Sequence, residues 1–102
     1  MGIDARWEDE QGDAIEAILE PQSHLTRFVN SAELTKTVCL RFLDPYGDTT
    51  FNQLQLPLLV AELTEALRTQ TDPARRMHLA MVLELASKAR GQVHTYLRFI
   101  GD

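Results

Sequence analysis

The segment Asp44-Pro45-Tyr46-Gly47-Asp48 gathers the residue types in this sequence that are best suited to chemistry. Its two carboxylates could coordinate a hard cation or act as an acid and a base. The same segment also favours a type I turn, which takes Asp first, Pro second and Gly fourth. Turn formation is the simpler interpretation, and the spacing does not match an EF-hand loop. We therefore expect a turn that is also a candidate binding site through Asp44, Tyr46 and Asp48.

Two arginines suggest what such a site would bind. Arg41 and Arg98 occupy matching positions in two similar stretches, Leu40–Leu43 and Leu97–Ile100. If these stretches are neighbouring strands, the two guanidinium groups could clamp an anionic substrate. A small enzyme or ligand-binding protein, with His94 as a further member of the pocket, is therefore one candidate function.

Cysteine and histidine give weaker signals. The three histidines, His24, His78 and His94, fall in separate elements with no zinc-binding spacing. Cys39 could form a nucleophile pair with His94 only if their strands were neighbours. The sequence contains no nucleophile elbow, phosphate-binding loop or dinucleotide fingerprint. We therefore predict no metal and no cofactor, and enzymatic activity is left open but not favoured.

Charge provides the second candidate site. The net charge is -5, yet residues 1–20 contain seven acidic residues and one arginine, so the acidity belongs to the N-terminal segment. The candidate binding carboxylates there are Glu8, Asp9, Glu10 and Asp13. Such a negative field would steer a basic protein partner. Nucleic-acid binding is disfavoured because the chain is acidic overall.

Cysteine usage and hydropathy bear on the compartment. A single cysteine, Cys39, cannot form an intrachain disulfide, and no secretory leader is apparent, so we expect a cytoplasmic protein. The longest apolar run, Leu56–Ala61, contains Pro57 and is far shorter than the roughly 20 residues that cross a bilayer. A membrane role is not expected.

Alternation of apolar and polar residues predicts four strands. Ile3–Glu8 and Ala14–Leu19 flank a glycine-containing turn and form a hairpin. Thr37–Leu43 reads as the clearest strand, and Val93–Ile100 as the last. Residues 21–36 read as an irregular connector.

Two helices lie between the last two strands. Asn52 and Gln55 have the spacing of a capping box before the first helix. Asp72 and Gly91 suit the two ends of the second, whose predicted buried stripe is Met77, Met81, Val82 and Leu85. The sequence thus predicts one α+β domain over residues 1–102. It has a small, mainly antiparallel sheet, the order β-β-β-α-α-β, and an antiparallel helical hairpin on one face.

We rank three functions from these features. The first is a non-enzymatic interaction module, such as an inhibitor, an immunity-type protein or an accessory subunit, that binds through the acidic hairpin and the Asp44–Asp48 turn. The second is the small enzyme or ligand-binding protein described above. The third is a structural homodimer whose interface is an uncovered sheet face formed by Cys39, Leu43, Tyr96 and Ile100.

Overall fold

The structure, a computed structural model, describes residues 2–20, 25 and 37–101. Its strands and helices are β1 (Asp4–Asp9), β2 (Ala14–Ile18), β3 (Asp48–Phe51), α1 (Leu56–Thr69), α2 (Pro73–Arg90) and β4 (Thr95–Ile100). A 3₁₀ turn at Leu40–Phe42 precedes β3. The predicted α+β class is confirmed. The predicted connector lies outside the described residues except for Leu25, which is buried in the core.

The four strands form one antiparallel sheet in the order β2-β1-β4-β3. The N-terminal hairpin is confirmed, and Gly12 adopts the positive φ of 85° that its tight turn requires. Asp9 closes the same turn, because its carboxylate accepts hydrogen bonds from the backbone N–H groups of Gln11 and Asp13. β1 and β4, the first and last strands among the described residues, are neighbours at the centre of the sheet.

The prediction of a strand at Thr37–Leu43 was wrong. The backbone N–H groups of Val38, Cys39 and Leu40 point instead at the carboxylate of Glu62 on α1, at 2.6–3.2 Å. Three donors that converge on one carboxylate require a curved backbone, which a strand does not offer. Tertiary hydrogen bonding thus overrides the local β-propensity of this segment.

The third strand is the short segment Asp48–Phe51, which follows the Asp44–Gly47 turn. It pairs with β4, and its Phe51 packs edge-to-face on Phe99 with ring centroids 5.8 Å apart. The predicted element order is therefore correct, although this strand lies about ten residues later than expected. Leu40 and Leu43, the presumed strand residues, enter the core from the 3₁₀ turn.

The starts of both helices, and the end of α2, follow their sequence signals. Asn52 and Gln55 exchange hydrogen bonds, each side-chain oxygen accepting from the other residue's backbone N–H at 3.0–3.1 Å. The Asp72 carboxylate accepts from Arg75 N at 2.9 Å and caps α2, while Gly91 ends it. The capping-box spacing and the Asp72 cap are confirmed.

The predicted buried stripe of α2 was partly wrong. Met77 and Met81 are 70% and 46% exposed. The buried residues are His78, Leu79, Val82, Leu85, Ala86 and Ala89. Val82 and Leu85 belong to both stripes, but the observed stripe is centred about 70° around the helix from the predicted one. The two methionines therefore belong to the surface.

The helical hairpin covers one face of the sheet. Along β4, Thr95, Leu97 and Phe99 point into the core, and the intervening residues point to the other face. In the part of the chain that the structure describes, no helix is long and apolar enough to cross a membrane. The face opposite the helices, which we call the open face, carries the charged groups considered next.

Candidate functional site

The open face has two arginines at its centre. Arg6 on β1 and Arg98 on β4 are cross-strand neighbours, and Arg98 is also paired with Thr50 on β3. Arg6 is paired in turn with Ala17 on β2. The row Ala17–Arg6–Arg98–Thr50 therefore runs across the whole sheet, from one edge strand to the other.

Glu8 and Asp48 neutralise these arginines. Arg6 Nε lies 3.0 Å and Arg98 Nη1 3.5 Å from Glu8 Oε2, and Arg98 Nη2 lies 2.5 Å from Asp48 Oδ2. The hydrogen bond to Asp48, with the carboxylate charges, raises the pKa of Arg98 above its ordinary value. The Glu8 side chain is only 7% exposed. The network therefore joins three strands, and its charges are largely satisfied within the molecule.

The turn between β1 and β2 brings Asp9, Glu10 and Asp13 together. We call Asp9–Asp13 the acidic tip. Asp9 is committed to the backbone of this turn, whereas Glu10 and Asp13 are exposed. Glu10 Oε1 lies 2.6 Å from His94 Nδ1. His94 has a φ of 62°, an uncommon value for a non-glycine residue, and it ends the regular extension of β4 toward Val93.

A cleft of about 290 Å³ adjoins the acidic tip. It is lined by Asn52, Gln53, Leu54, Val93, His94, Thr95 and Tyr96. Gln53 builds this region, because its Nε2 donates to the carbonyl oxygens of Ala89 and Gln92 at 2.8–2.9 Å. At its mouth, Leu54 and Val93 are 90% and 70% exposed. The cleft thus has one wall fixed by the hydrogen bonds of Gln53, and it presents two highly exposed apolar side chains, Leu54 and Val93.

The Asp44–Asp48 turn lies at the other end of the sheet. Asp9 is paired with Thr95 at the start of β4, and Asp48 with Ile100 at its end. Five residues of strand separate these positions by about 17 Å. The turn and the acidic tip, both proposed from the sequence, therefore do not form one pocket.

The internal geometry of this turn accounts for most of its polar groups. The Asp44 carboxylate accepts from Tyr46 N at 2.9 Å, and Gly47 N lies 3.4 Å from the Asp44 carbonyl oxygen. The Tyr46 ring is exposed, and Asp48 is bound to Arg98. The predicted turn is therefore present, with Asp44 used to build it.

Arg41 and Arg98 do not occupy neighbouring strands. Arg41 lies on the 3₁₀ turn, and its guanidinium carbon is 5.0 Å from the ring centroid of Phe42. The neighbour of Arg98 is Arg6 on β1, which was not among the predicted site residues. The alternation Asp4-Arg6-Glu8 was the available signal, but the pairing of β1 with β4 was needed to use it.

The remaining predicted groups fall in different places. Cys39 is buried on the 3₁₀ turn, so the neighbouring strands that a Cys39–His94 pair would need are absent. Burial, and then the nearby Glu62 carboxylate, raises the pKa of the thiol, which disfavours the thiolate. His24 lies outside the described residues. Within those residues no group of three or more potential ligands could hold a metal ion.

The predicted homodimer face also needs correction. Tyr96 and Ile100 are half-buried on the open face, as expected from alternation, but Cys39 and Leu43 are buried in the core. The reason is again the 3₁₀ turn, which removes these two residues from the sheet.

One acidic residue of the N-terminal segment is not on the surface at all. The Glu20 side chain is 0% exposed, and its oxygens accept from the backbone N–H groups of Ile3, at 2.6 Å, and Leu25. His78 Nε2 lies 3.6 Å from Glu20 Oε1. Glu20 therefore joins the end of β2 to the start of β1 and to α2, and it adds nothing to the surface field.

No protein-family model matches this chain, and the comparisons with curated proteins and with solved structures also give no match.

Proposed function

We propose that this chain is a protein-binding domain that captures a short segment of a partner in the cleft beside the acidic tip. One observation carries the proposal: exposed Leu54 and Val93 stand at the mouth of a cleft that also contains His94, and His94 contacts Glu10. Apolar contact area and negative charge are thus side by side.

The chemistry of the cleft suggests the kind of segment it would bind. Leu54, Val93 and Tyr96 offer apolar and aromatic surface to one large side chain of a partner. Glu10 and Asp13 would attract an adjacent lysine or arginine, mainly by steering the encounter. The favoured ligand is a segment with an aromatic or aliphatic anchor next to a basic residue.

The roles of the acidic residues differ under this proposal. Glu10 and Asp13 are exposed and can meet a partner. Glu8 is buried between two arginines, and Asp9 closes the hairpin turn, so charge reversal at either would disturb the fold. An inhibitor, an immunity-type protein or an accessory subunit would each be compatible with this mode of binding.

The enzyme or ligand-binding alternative at the Asp44–Asp48 turn receives less support. The Asp44 carboxylate is engaged by Tyr46 N, and the Arg98 guanidinium is engaged by Glu8 and Asp48. An anionic ligand at Arg98 would have to displace both carboxylates.

A displayed library of random peptides, selected on the wild-type protein, tests the binding proposal. We expect enriched peptides to contain an aromatic or aliphatic residue beside Lys or Arg. Their affinity should fall about tenfold or more for Leu54→Ser and for the double variant Glu10→Lys with Asp13→Lys.

The controls are matched in chemistry and remote from the cleft. Met77→Ser removes another highly exposed apolar side chain, near the start of α2, and Glu65→Lys reverses a charge on the exposed side of α1. Enriched peptides that bind all variants alike would contradict the proposal, as would a selection that enriches no peptide.

A further inference from the structure

We propose that two copies of this chain associate through β2 to form one continuous eight-stranded antiparallel sheet. β2 is an edge strand, and Ala14–Ala17 are all exposed. Among the described residues no strand pairs with its outer side. An edge of this kind presents unpaired backbone N–H and C=O groups that a second strand can bind.

The sequence of β2 leaves it poorly protected against such pairing. It contains neither Lys nor Pro, the residues that commonly block edge strands. Its only charge, Glu16, is bound by Lys88 on α2 at 3.1 Å. A bulge interrupts the pairing near Ile15, so the regular part of the edge runs from Glu16 toward Leu19. Leu19 is itself highly exposed.

The alternation of β2 restricts the register of such a pairing. Glu16 and Ile18 face the helices, since they are paired with Trp7 and Ala5, whereas Ala17 lies on the open face opposite Arg6. A continuous sheet requires that opposite residues point to the same face. A two-fold axis therefore passes through a residue facing its own copy: Glu16, Ala17 or Ile18.

Strand length and charge then separate these three registers. An axis at Ile18 leaves only Ile18 itself paired within β2, because Glu16 would then lie opposite residue 20, beyond the end of the strand. An axis at Glu16 places two carboxylates opposite each other. Like charges directly opposite are destabilising. An axis at Ala17 instead pairs Glu16 with Ile18 and brings exposed Leu19 next to exposed Ile15. The Ala17 register is the one in which carboxylates are not opposed and apolar residues meet.

Helix α2 extends the same surface. Lys88 contacts Glu16 on β2, and His78 contacts Glu20 just after that strand, so the helix lies alongside the edge. Met81 and Glu84 are exposed on this helix, and Glu84 is four residues from Lys88. Two such helices related by a two-fold axis carry self-complementary charges, because Glu84 of each copy can approach Lys88 of the other.

The other edge of the sheet does not offer this opportunity. Thr49 Oγ1 accepts from Asp44 N and donates to the Phe42 carbonyl oxygen, so the chain before β3 runs beside that strand. Asp48 adds a charge at its start. β2 is therefore the favoured edge.

A pair of matched substitutions tests the dimer. Ala17→Glu puts a carboxylate beside Arg6, which the monomer tolerates, and opposite an identical carboxylate in the dimer. Thr50→Glu puts the same charge beside Arg98 at the other end of the same row. By sedimentation over a range of concentrations we expect a dimer, of twice 11.6 kDa, for the wild type and Thr50→Glu. For Ala17→Glu the dimer dissociation constant should rise about tenfold or more.

Two further measurements guard against a simple folding defect. Mixing Ala17→Glu with Ala17→Lys should restore a heterodimer, because opposite charges then meet at the axis. Ala17→Cys should form an intermolecular disulfide, since opposed antiparallel residues have Cα atoms about 4.5–5.5 Å apart. Thr50→Cys should form none. A wild-type protein that stays monomeric at every concentration, or Ala17→Cys and Thr50→Cys that cross-link alike, would overturn the proposal.

Discussion

The two edge strands of this sheet differ in how well they are protected against pairing with another strand. β3 has four residues, begins with the charged Asp48 and is bordered by the segment Phe42–Asp44, which Thr49 holds by two hydrogen bonds. β2 is exposed along most of its length, and its single charge is bound by α2. One edge is thus protected by the chain itself, whereas the other is available to a second molecule.

The protection of β3 depends on tertiary contacts at two points. Glu62 on α1 binds the backbone before the 3₁₀ turn, and Thr49 binds the backbone after it. Between these points Leu40 and Leu43 enter the core. Most of the segment predicted to be a strand therefore lies in a stretch that ends beside β3. We call residues 38–44 the cover of β3.

The largest expected effect is on stability, and it compares how strongly each edge strand is anchored in the core. Phe51→Ala on β3 should lower the free energy of unfolding by about 3–5 kcal/mol, because it leaves a cavity beside Phe99. Ile18→Ala on β2 should cost about 2 kcal/mol, near the lower end for such changes, because Ile18 lies at the margin of the core.

Urea denaturation of both variants measures this difference. The slope of the transition should be unchanged, so that the shift in midpoint reports stability. Equal losses would show that the two edges are anchored alike.

The elements that the sequence predicted well are those with local signals. The hairpin follows from alternation around Gly12, and α2 follows from Asp72 and Gly91. The third strand was misplaced because the structure of Thr37–Leu43 depends on a distant residue. Glu62, which binds the backbone of this segment, is more than twenty residues away. The candidate site likewise divides into a part with a local signal and a part that depends on tertiary contacts. Glu10 was foreseen as exposed charge, but the cleft needed the contact of His94 with the hairpin.

The next effect concerns the cover over β3. Thr49→Val keeps the shape of the side chain but removes both hydrogen bonds to Phe42 and Asp44. We expect a loss of about 1–3 kcal/mol in the free energy of unfolding. Local opening of the segment should also increase, because its connection to the strand is lost.

The buried thiol of Cys39 reports that opening. Its raised pKa and its burial should make labelling by an alkylating reagent slow in the wild type at pH 8. Thr49→Val should label faster, under conditions where global unfolding is negligible. Thr64→Val, on the exposed side of α1, is the control and should label like the wild type. Equal rates for all three proteins would show that Thr49 does not hold the cover.

The smallest expected effect distinguishes two contributions to the protection of β3, the charge of Asp48 and the cover. Asp48→Asn removes one ion pair from Arg98, which keeps its contact with Glu8. Because Arg98 and Asp48 are both partly exposed, the loss in the free energy of unfolding should be the smallest of those considered and should shrink at high salt. The variant should also gain no association through β3, since Phe42–Asp44 still borders that edge. In the double variant Asp48→Asn with Ala17→Glu, association through β2 is blocked. Sedimentation of this double variant therefore measures association through β3 alone. A monomer would assign the protection to the cover, whereas a dimer would assign it to the charge of Asp48.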